Sequence, residues 1–285
     1  MADSSNWISV GELSDAFHTG SYAPEPTPDL AGENLALWLE GGHVLGCRFE
    51  TRTELIFEMR RPEQAGTGEE QAADQSGLHN RQPYFATKLR DRLFFVDFIW
   101  HHERAATITL LLDLNEQIAT ILIGQLPDSE EAHRSLPDRI DADDELTAVS
   151  ASFLNAAINR PFTSQTPIHR PSSDMVGRRV EYTYSPTERY EHIYLNSSLY
   201  TWHCLDGSEK GLADTDRCHY LKLADDLYLF VWREKIVPTL GVVAVDFAAM
   251  RTAGKILGYR DYRSGELANF QVGAHARILN TTSYS

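Results

Sequence analysis

The sequence predicts a mostly β protein made of two antiparallel up-and-down β-barrels in tandem, with a few short helices. Three observations carry that reading. Short alternating runs recur at roughly 8–12-residue spacing with Gly, Pro, Asn or Ser turns between them, the pattern of sandwiches and barrels. The chain also repeats itself. Gly32-x-x-Leu35-x-Leu37-x-Leu39 aligns with Gly177-x-x-Val180-x-Tyr182-x-Tyr184 at an offset of 145, and the Lys88–Phe94 stretch KLRDRLF aligns with the Lys222–Tyr228 stretch KLADDLY at 134. Asp113 then matches Asp246 at 133, and Gly124 matches Gly258 at 134. Finally, 285 residues exceed the usual size of one domain. Closing each copy into a barrel removes the sheet edges that would otherwise invite aggregation.

The elements follow in order. Ser9-x-x-Glu12 is a capping box, and Leu13, Ala16 and Phe17 follow at helical spacing, so the chain opens on a short helix. Ala23-Pro24-Glu25-Pro26-Thr27-Pro28 ends it. Leu35–Leu39, Val44–Phe49 and Glu54–Met59 read as a meander turning at Gly41-Gly42 and Thr51-Arg52-Thr53. Arg60–Pro83 is small and polar and reads as a mobile loop. Strands resume at Tyr84–Lys88, Leu93–Trp100, Ala106–Leu114 and Ile118–Gln125. Asp141–Ile158 reads as a helix with acids in its first turns, and Pro161, Pro167 and Pro171 punctuate the connector. This divides a first barrel, residues 1–165, from a second, residues 166–285. The second reads Val180–Tyr184, Tyr190–Leu195, Tyr200–Cys204, Cys218–Leu223, Leu227–Glu234, Leu240–Asp246 and Gly254–Tyr259, with a last pair near Phe270 and Ala276–Leu279.

Charge narrows the function. Forty-one acids against 26 bases give a net charge of −15, which repels phosphate backbones, and no basic run offsets it. Nucleic acid is therefore not expected as a partner. Nor is a membrane, since no window approaches the run of about 18 apolar residues that spans one. The N-terminus lacks the basic start and apolar core of a signal peptide. Cys47, Cys204 and Cys218 are odd in number with no C-x-x-C spacing, which suits free thiols in a reducing cytoplasm. His101 and His102 point to opposite faces of a strand, and no second cluster has ligand spacing, so neither a metal nor another cofactor is expected.

The two copies differ in polarity. Where the second carries Tyr182 and Tyr184, the first carries Leu37 and Leu39, and the position matching Glu234 holds Trp100. Residues 180–204 hold five tyrosines, one tryptophan and two histidines. A packed core needs none of these polar groups, and each one left unsatisfied costs about 1–3 kcal/mol. They point to a pocket in the C-terminal copy. Alternation along Leu227–Glu234 puts Glu234 on the face of Tyr228, Phe230 and Trp232 and turns Arg233 away. The expected lining adds His192, Tyr194, Trp202, His203 and Tyr220, aromatic walls that suit a flat hydrophobic ligand.

Glu181-Tyr182-Thr183-Tyr184, Tyr190-Glu191, Tyr200-Thr201-Trp202-His203, Leu223-Ala224-Asp225-Asp226-Leu227-Tyr228 and Trp232-Arg233-Glu234 resemble, in order and spacing, the bacterial phenolic acid decarboxylases. The tandem arrangement, with Arg233-Glu234-Lys235 and Gly254-Lys255-Ile256-Leu257-Gly258-Tyr259, resembles the molybdenum cofactor biosynthesis protein F (MoaF) family. The first likeness covers roughly Gly177–Gly258, the second nearly the whole chain. Together they imply two fused calycin (lipocalin-like) barrels. The family name implies a link to molybdenum cofactor, of which no residue here speaks. The decarboxylase pattern further implies that Tyr182 and Tyr184 hold the carboxylate or phenol end of a substrate and that Glu234 exchanges a proton with it. The arginine that assists in that family falls in a loop reading Asp206-Gly207-Ser208-Glu209-Lys210-Gly211-Leu212 here, where Lys210 is the one basic residue. Lysine lacks the bidentate fork that fits a carboxylate.

The resulting expectation is a C-terminal barrel that binds a small hydrophobic or aromatic molecule, phenolic or isoprenoid in type. It would catalyse a cofactor-independent acid–base step, either lyase-like (decarboxylation) or isomerase/cyclase-like. The alternative is a lipocalin-like binding protein without turnover. The N-terminal barrel is expected to act as scaffold, as a second pocket of apolar character, or as a face for self-association into a homo-oligomer.

Overall fold

The computed structural model describes residues 7–60, 81–101, 103–261 and 264–283. The capping box forms as read: Ser9 is the N-cap of helix α1, Val10–His18, with its side chain and that of Glu12 exchanging hydrogen bonds with each other's backbone.

In chain order the first sheet uses β1 (Asn34–Leu39), β2 (Val44–Phe49), β3 (Glu54–Arg60), β4 (Arg81–Pro83), β5 (Phe85–Arg90), β6 (Leu93–Ile99), β7 (Ala106–Asp113), β8 (Ile118–Gln125) and β9 (Ser150–Ile158). Its spatial order is β4-β3-β2-β1-β9-β8-β7-β6-β5. The two ends of that sheet are consecutive in the chain. β4 pairs with β3 and β5 with β6, so the passage through Tyr84 links both edges.

The second sheet uses β10 (Arg170–Pro171), β11 (Arg178–Thr183), β12 (Arg189–Tyr194), β13 (Leu199–Asp206), β14 (Ala213–Ala224), β15 (Leu227–Glu234), β16 (Thr239–Asp246), β17 (Arg251–Tyr259) and β18 (Leu267–Thr281). Here one long strand, β14, pairs with both β13 and β15, and that second pairing closes β11–β18 on itself. The protein is thus mostly β, two antiparallel barrel-like sheets in tandem with short helices α1, α2 (Ser129–His133) and α3 (Leu136–Asp141). No helix among the described residues is long and apolar enough to cross a membrane.

The duplication is visible in the hydrogen-bond registers. Leu35 pairs with Cys47 and Val180 with His192, both members shifted by 145. Cys47 pairs with Phe57 and His192 with Trp202, again by 145. Each copy also slips register at the same place, between Lys88 and Arg90 and between Lys222 and Ala224. A shared bulge at matching positions is hard to reach twice independently, because bulges are local designed features.

Three readings need correction. Asp141–Ile158 is not a helix: α3 stops at Asp141, Asp143 takes a left-handed φ of 58°, and Ser150–Ile158 is β9. The acids do resemble a helix start, but β1 and β8 each need a strand between them, and that pairing overrides local propensity. Arg81–Pro83, read as loop, is strand β4, while residues 61–80 of that expected loop lie outside the described residues. The last pair of strands is one strand, β18. Gly273 is no break in it; a side chain there would collide with Ala23 and Pro24, so the glycine lets the N-terminal segment lie against the sheet.

The chain divides into two compact units. One is Glu25–Gly124 with Ala151–His169; the other is Met1–Pro24, Gln125–Ser150 and Arg170–Ser285, so α1 packs with the C-terminal barrel. The first unit has an apolar interior of Leu, Ile, Val, Phe and Ala with Cys47 and Tyr84. Its position matching Asp216 is Gln82, buried. The second unit fills its interior with seven tyrosines, two tryptophans and four phenylalanines, plus aliphatic residues, chiefly from β16–β18.

Candidate functional site

The polar groups of the C-terminal interior come from five consecutive strands, because alternation sends every second side chain inward. β11 contributes Tyr182, and Tyr184 just beyond its end. β12 contributes Tyr190, His192 and Tyr194; β13 contributes Tyr200, Trp202 and Cys204. β14 sends in Asp216, Cys218 and Tyr220; β15 sends in Tyr228, Phe230, Trp232 and Glu234. Gly241 stands opposite Trp232 on β16, and a side chain there would collide with the indole, so the glycine makes room for it.

The middle of the barrel is a ring layer centred on His192. Its imidazole lies 4.8 Å from the Tyr182 ring, 5.2 Å from Tyr200, 5.7 Å from Phe230 and 6.0 Å from Trp232. The residue is 4% exposed, and its Nδ1 has no hydrogen-bond partner among the described residues. Burial lowers its pKa to about 3, so it is a neutral imidazole. Beside it the Tyr182 and Tyr194 hydroxyls bond each other at 2.6 Å, and the Cys218 thiol donates to the Tyr220 hydroxyl at 2.9 Å.

One end of the barrel is acidic. Trp232 Nε1 donates to Glu234 Oε1 at 2.8 Å, and Trp202 Nε1 donates to Asp216 Oδ2 at 3.1 Å. The Tyr190 hydroxyl donates to Glu209 Oε2 at 3.0 Å. Lys235 Nζ donates to Asp214 Oδ1 at 2.5 Å, to the Thr215 carbonyl at 2.7 Å and to Asp216 Oδ1 at 3.3 Å. Glu234 is half-buried, its carboxyl held beside the Trp232 indole. Desolvation, then the charges of Asp216 and Glu209, raise its pKa well above the carboxylate range. Burial pushes Glu209 up to about 6 and also raises Asp216, against the opposing pull of Lys235. After burial, the Glu234 charge is the next influence raising the pKa values of Tyr184 and Tyr200.

Helix α1 covers this end. Phe17 stacks on Tyr184 at 4.9 Å and meets Tyr190 edge-on at 5.9 Å, and Trp7 meets Trp202 edge-on at 5.7 Å.

Of the residues singled out from the sequence, Tyr182, Tyr184, His192, Tyr194, Trp202, Tyr220, Trp232 and Glu234 face one interior. Tyr228 faces it from the opposite end, its hydroxyl donating to Asp174 at 2.9 Å. His203 and Lys210 are not brought to the group. His203 alternates outward beside Glu191 at 3.8 Å, and Lys210, 68% exposed, pairs with Asp206 at 3.0 Å. Arg233 turns outward as expected and donates to both Glu145 oxygens, at 2.5 and 3.2 Å. Sequence reasoning missed Glu209, Asp216 and Lys235. The Asp214, Asp216, Cys218, Tyr220 alternation could have found Asp216 had the strand been started earlier. Glu209 sits in a turn, where no periodicity speaks.

Fold and interior together define a duplicated barrel in which one copy keeps an apolar core and the other an aromatic, acid-bearing one. The family described as MoaF N-terminal domain matches residues 5–128, and that described as MoaF C-terminal domain matches residues 169–282. Protein MoaF of Klebsiella aerogenes is 42% identical over 287 residues, spanning 100% of this chain and 99% of that one. The chain belongs to the MoaF family. A solved structure from Burkholderia vietnamiensis, described as a candidate beta-lactamase, aligns with 39% of this chain and 99% of its own at 18% identity and a TM-score of 0.33, a similarity too low to carry an argument.

Proposed function

We propose that the C-terminal barrel binds a small hydrophobic or aromatic molecule at its acidic end and performs a cofactor-independent acid–base step on it, with Glu234 moving the proton. The observation that carries this reading is Glu234 itself. A half-buried carboxyl beside Trp232, whose neutral form is favoured by desolvation and by Asp216 and Glu209, can give up a proton to a ligand and take it back. Tyr184 and Tyr200, close enough to feel its charge, supply hydroxyls for an oxyanion developing on the ligand. Tyr182, whose hydroxyl is engaged by Tyr194, would position the ring layer rather than touch the reacting atoms.

Isomerisation or cyclisation is better supported than decarboxylation. The described cations nearest this end are already paired: Lys235 with Asp214 and Asp216, Arg233 with Glu145, and Lys210 with Asp206 on the exposed surface. The same surplus of acids fits poorly with an anion such as molybdate or a phosphorylated pterin. Among the described residues, no three His, Cys, Asp or Glu side chains converge as a metal site.

A purely binding role is favoured by the ring layer, in which Tyr194, Tyr200 and Tyr220 pack on Phe230 at 5.2, 4.9 and 5.6 Å and leave the ligand only the acidic end. Glu234→Gln separates the two. It keeps shape and the Trp232 hydrogen bond but cannot cycle a proton, so turnover should fall by about 10²–10⁴-fold. Ligand affinity should stay within about tenfold. Undiminished turnover in Glu234→Gln would remove the residue from the chemistry.

A further inference from the structure

Building on that reading, we infer that the ligand of the acidic end is a cation, an amine borne on an aromatic or alkyl body. Four carboxyl groups, Glu209, Glu234, Asp214 and Asp216, lie at that end, each held by its own donor, Tyr190, Trp232 or the ammonium of Lys235. Asp216 is 2% exposed and Glu209 9%. The arginines that could offset them face away, Arg233 at 2.5 Å and Arg217 at 3.6 Å from Glu145. Burying surplus acids without a cation is costly, and a cation entering among them recovers that cost. The walls suit the same ligand. Trp202, Trp232, Tyr184, Tyr190 and Phe17 converge there, and the π faces of such rings attract an ammonium and do nothing for an anion.

A second observation points to a ligand independently of the acids. One layer along the barrel, against Tyr200 and Trp232, His192 holds a buried Nδ1 with no partner among the described residues. As a neutral imidazole it can accept a hydrogen bond from an N–H donor. The chain's charge of −15 would also draw a cation in.

The groups facing the carboxyls are Tyr184 from the end of β11, Tyr190 from β12, Tyr200 and Trp202 from β13, Asp214 and Asp216 from β14, and Lys235 after β15. Glu188, which accepts from the Ser208 backbone and hydroxyl, and the Cys204 thiol from β13 also face Glu209. An ammonium among them favours their ionised forms, so binding releases protons and strengthens as pH rises through about 6, where Glu209 titrates.

The test uses the full chain and three near-isosteric probes, 3-phenylpropylamine, 3-phenylpropan-1-ol and 4-phenylbutanoate, followed by calorimetry and tryptophan fluorescence at neutral pH. The amine should bind at least about tenfold more tightly than the alcohol, and the carboxylate more weakly than both. Glu209→Gln, which preserves a partner for Tyr190, should cut that preference to less than about threefold while leaving the alcohol's affinity within about twofold. Alcohol and carboxylate binding as well as the amine would overturn the cationic class and leave the small-molecule reading standing. A preference for the amine that Glu209→Gln and Glu234→Gln both leave intact would overturn the assignment to this end. No binding by any probe would overturn both readings.

Discussion

Replacing Phe17 by alanine tests how α1 is held over the acidic end. Phe17 is 4% exposed and touches Tyr184 at 4.9 Å, Tyr190 at 5.9 Å and Phe270 at 6.1 Å. Truncating a buried phenylalanine costs about 3–5 kcal/mol, and each ring pair contributes about 0.5–1.5 kcal/mol to such losses. The helix cannot absorb the change by standing alone, because 9 residues are too few for an isolated helix in water. The expected result is therefore local: the free energy of opening Val10–His18 falls by about 3 kcal/mol, and the barrel's own unfolding falls less. Hydrogen exchange of the amides in Val10–His18, with urea unfolding of the same protein, reads the two separately. Protection of those amides within about 1 kcal/mol of the parent would refute the view that Phe17 anchors the helix.

Two further outcomes follow from the interior. Tyr194→Phe leaves the Tyr182 hydroxyl buried without its 2.6 Å partner and should cost about 1–3 kcal/mol, whereas the Tyr182→Phe/Tyr194→Phe double replacement should cost less than the sum, as a double-mutant cycle in urea will show. Glu209 binds its proton more tightly folded, near pH 6, than the usual carboxyl, near 4.5; the folded state therefore holds more protons between those values, and stability falls as pH rises through that window. Glu209→Gln should flatten that part of a stability–pH profile and raise stability above pH 6, and an unchanged profile would contradict the burial of this carboxyl.

Much of this was legible in the residues. The Ser9–Glu12 capping box marks α1, since it satisfies orphan amides locally. The offsets of 145 and 134 mark the duplication, since residues that alternate in step must pair in step, and the registers of β1–β2 and β11–β12 agree with them. Glu234 was legible through alternation along one strand. What lay hidden was set by distance in the chain. The strand β9 was masked by its acidic approach because its partners, β1 and β8, lie far off in sequence. Glu209 is placed by a turn, and Phe17 reaches the acidic end only because α1 packs with the C-terminal unit, which no local pattern announces. His203 shows the converse: aromatic density suggested it, yet period-two alternation with Trp202 turns it outward.

The central claim is that Glu234 stays protonated among the rings until a ligand needs its proton. Infrared difference spectroscopy of the parent against Glu234→Gln at neutral pH reads this directly. A protonated-carboxyl carbonyl band present in the parent and lost in the variant is the predicted result. A parent spectrum in which Glu234 contributes only ionised-carboxylate bands, and titrates as an ordinary surface acid does, would contradict it.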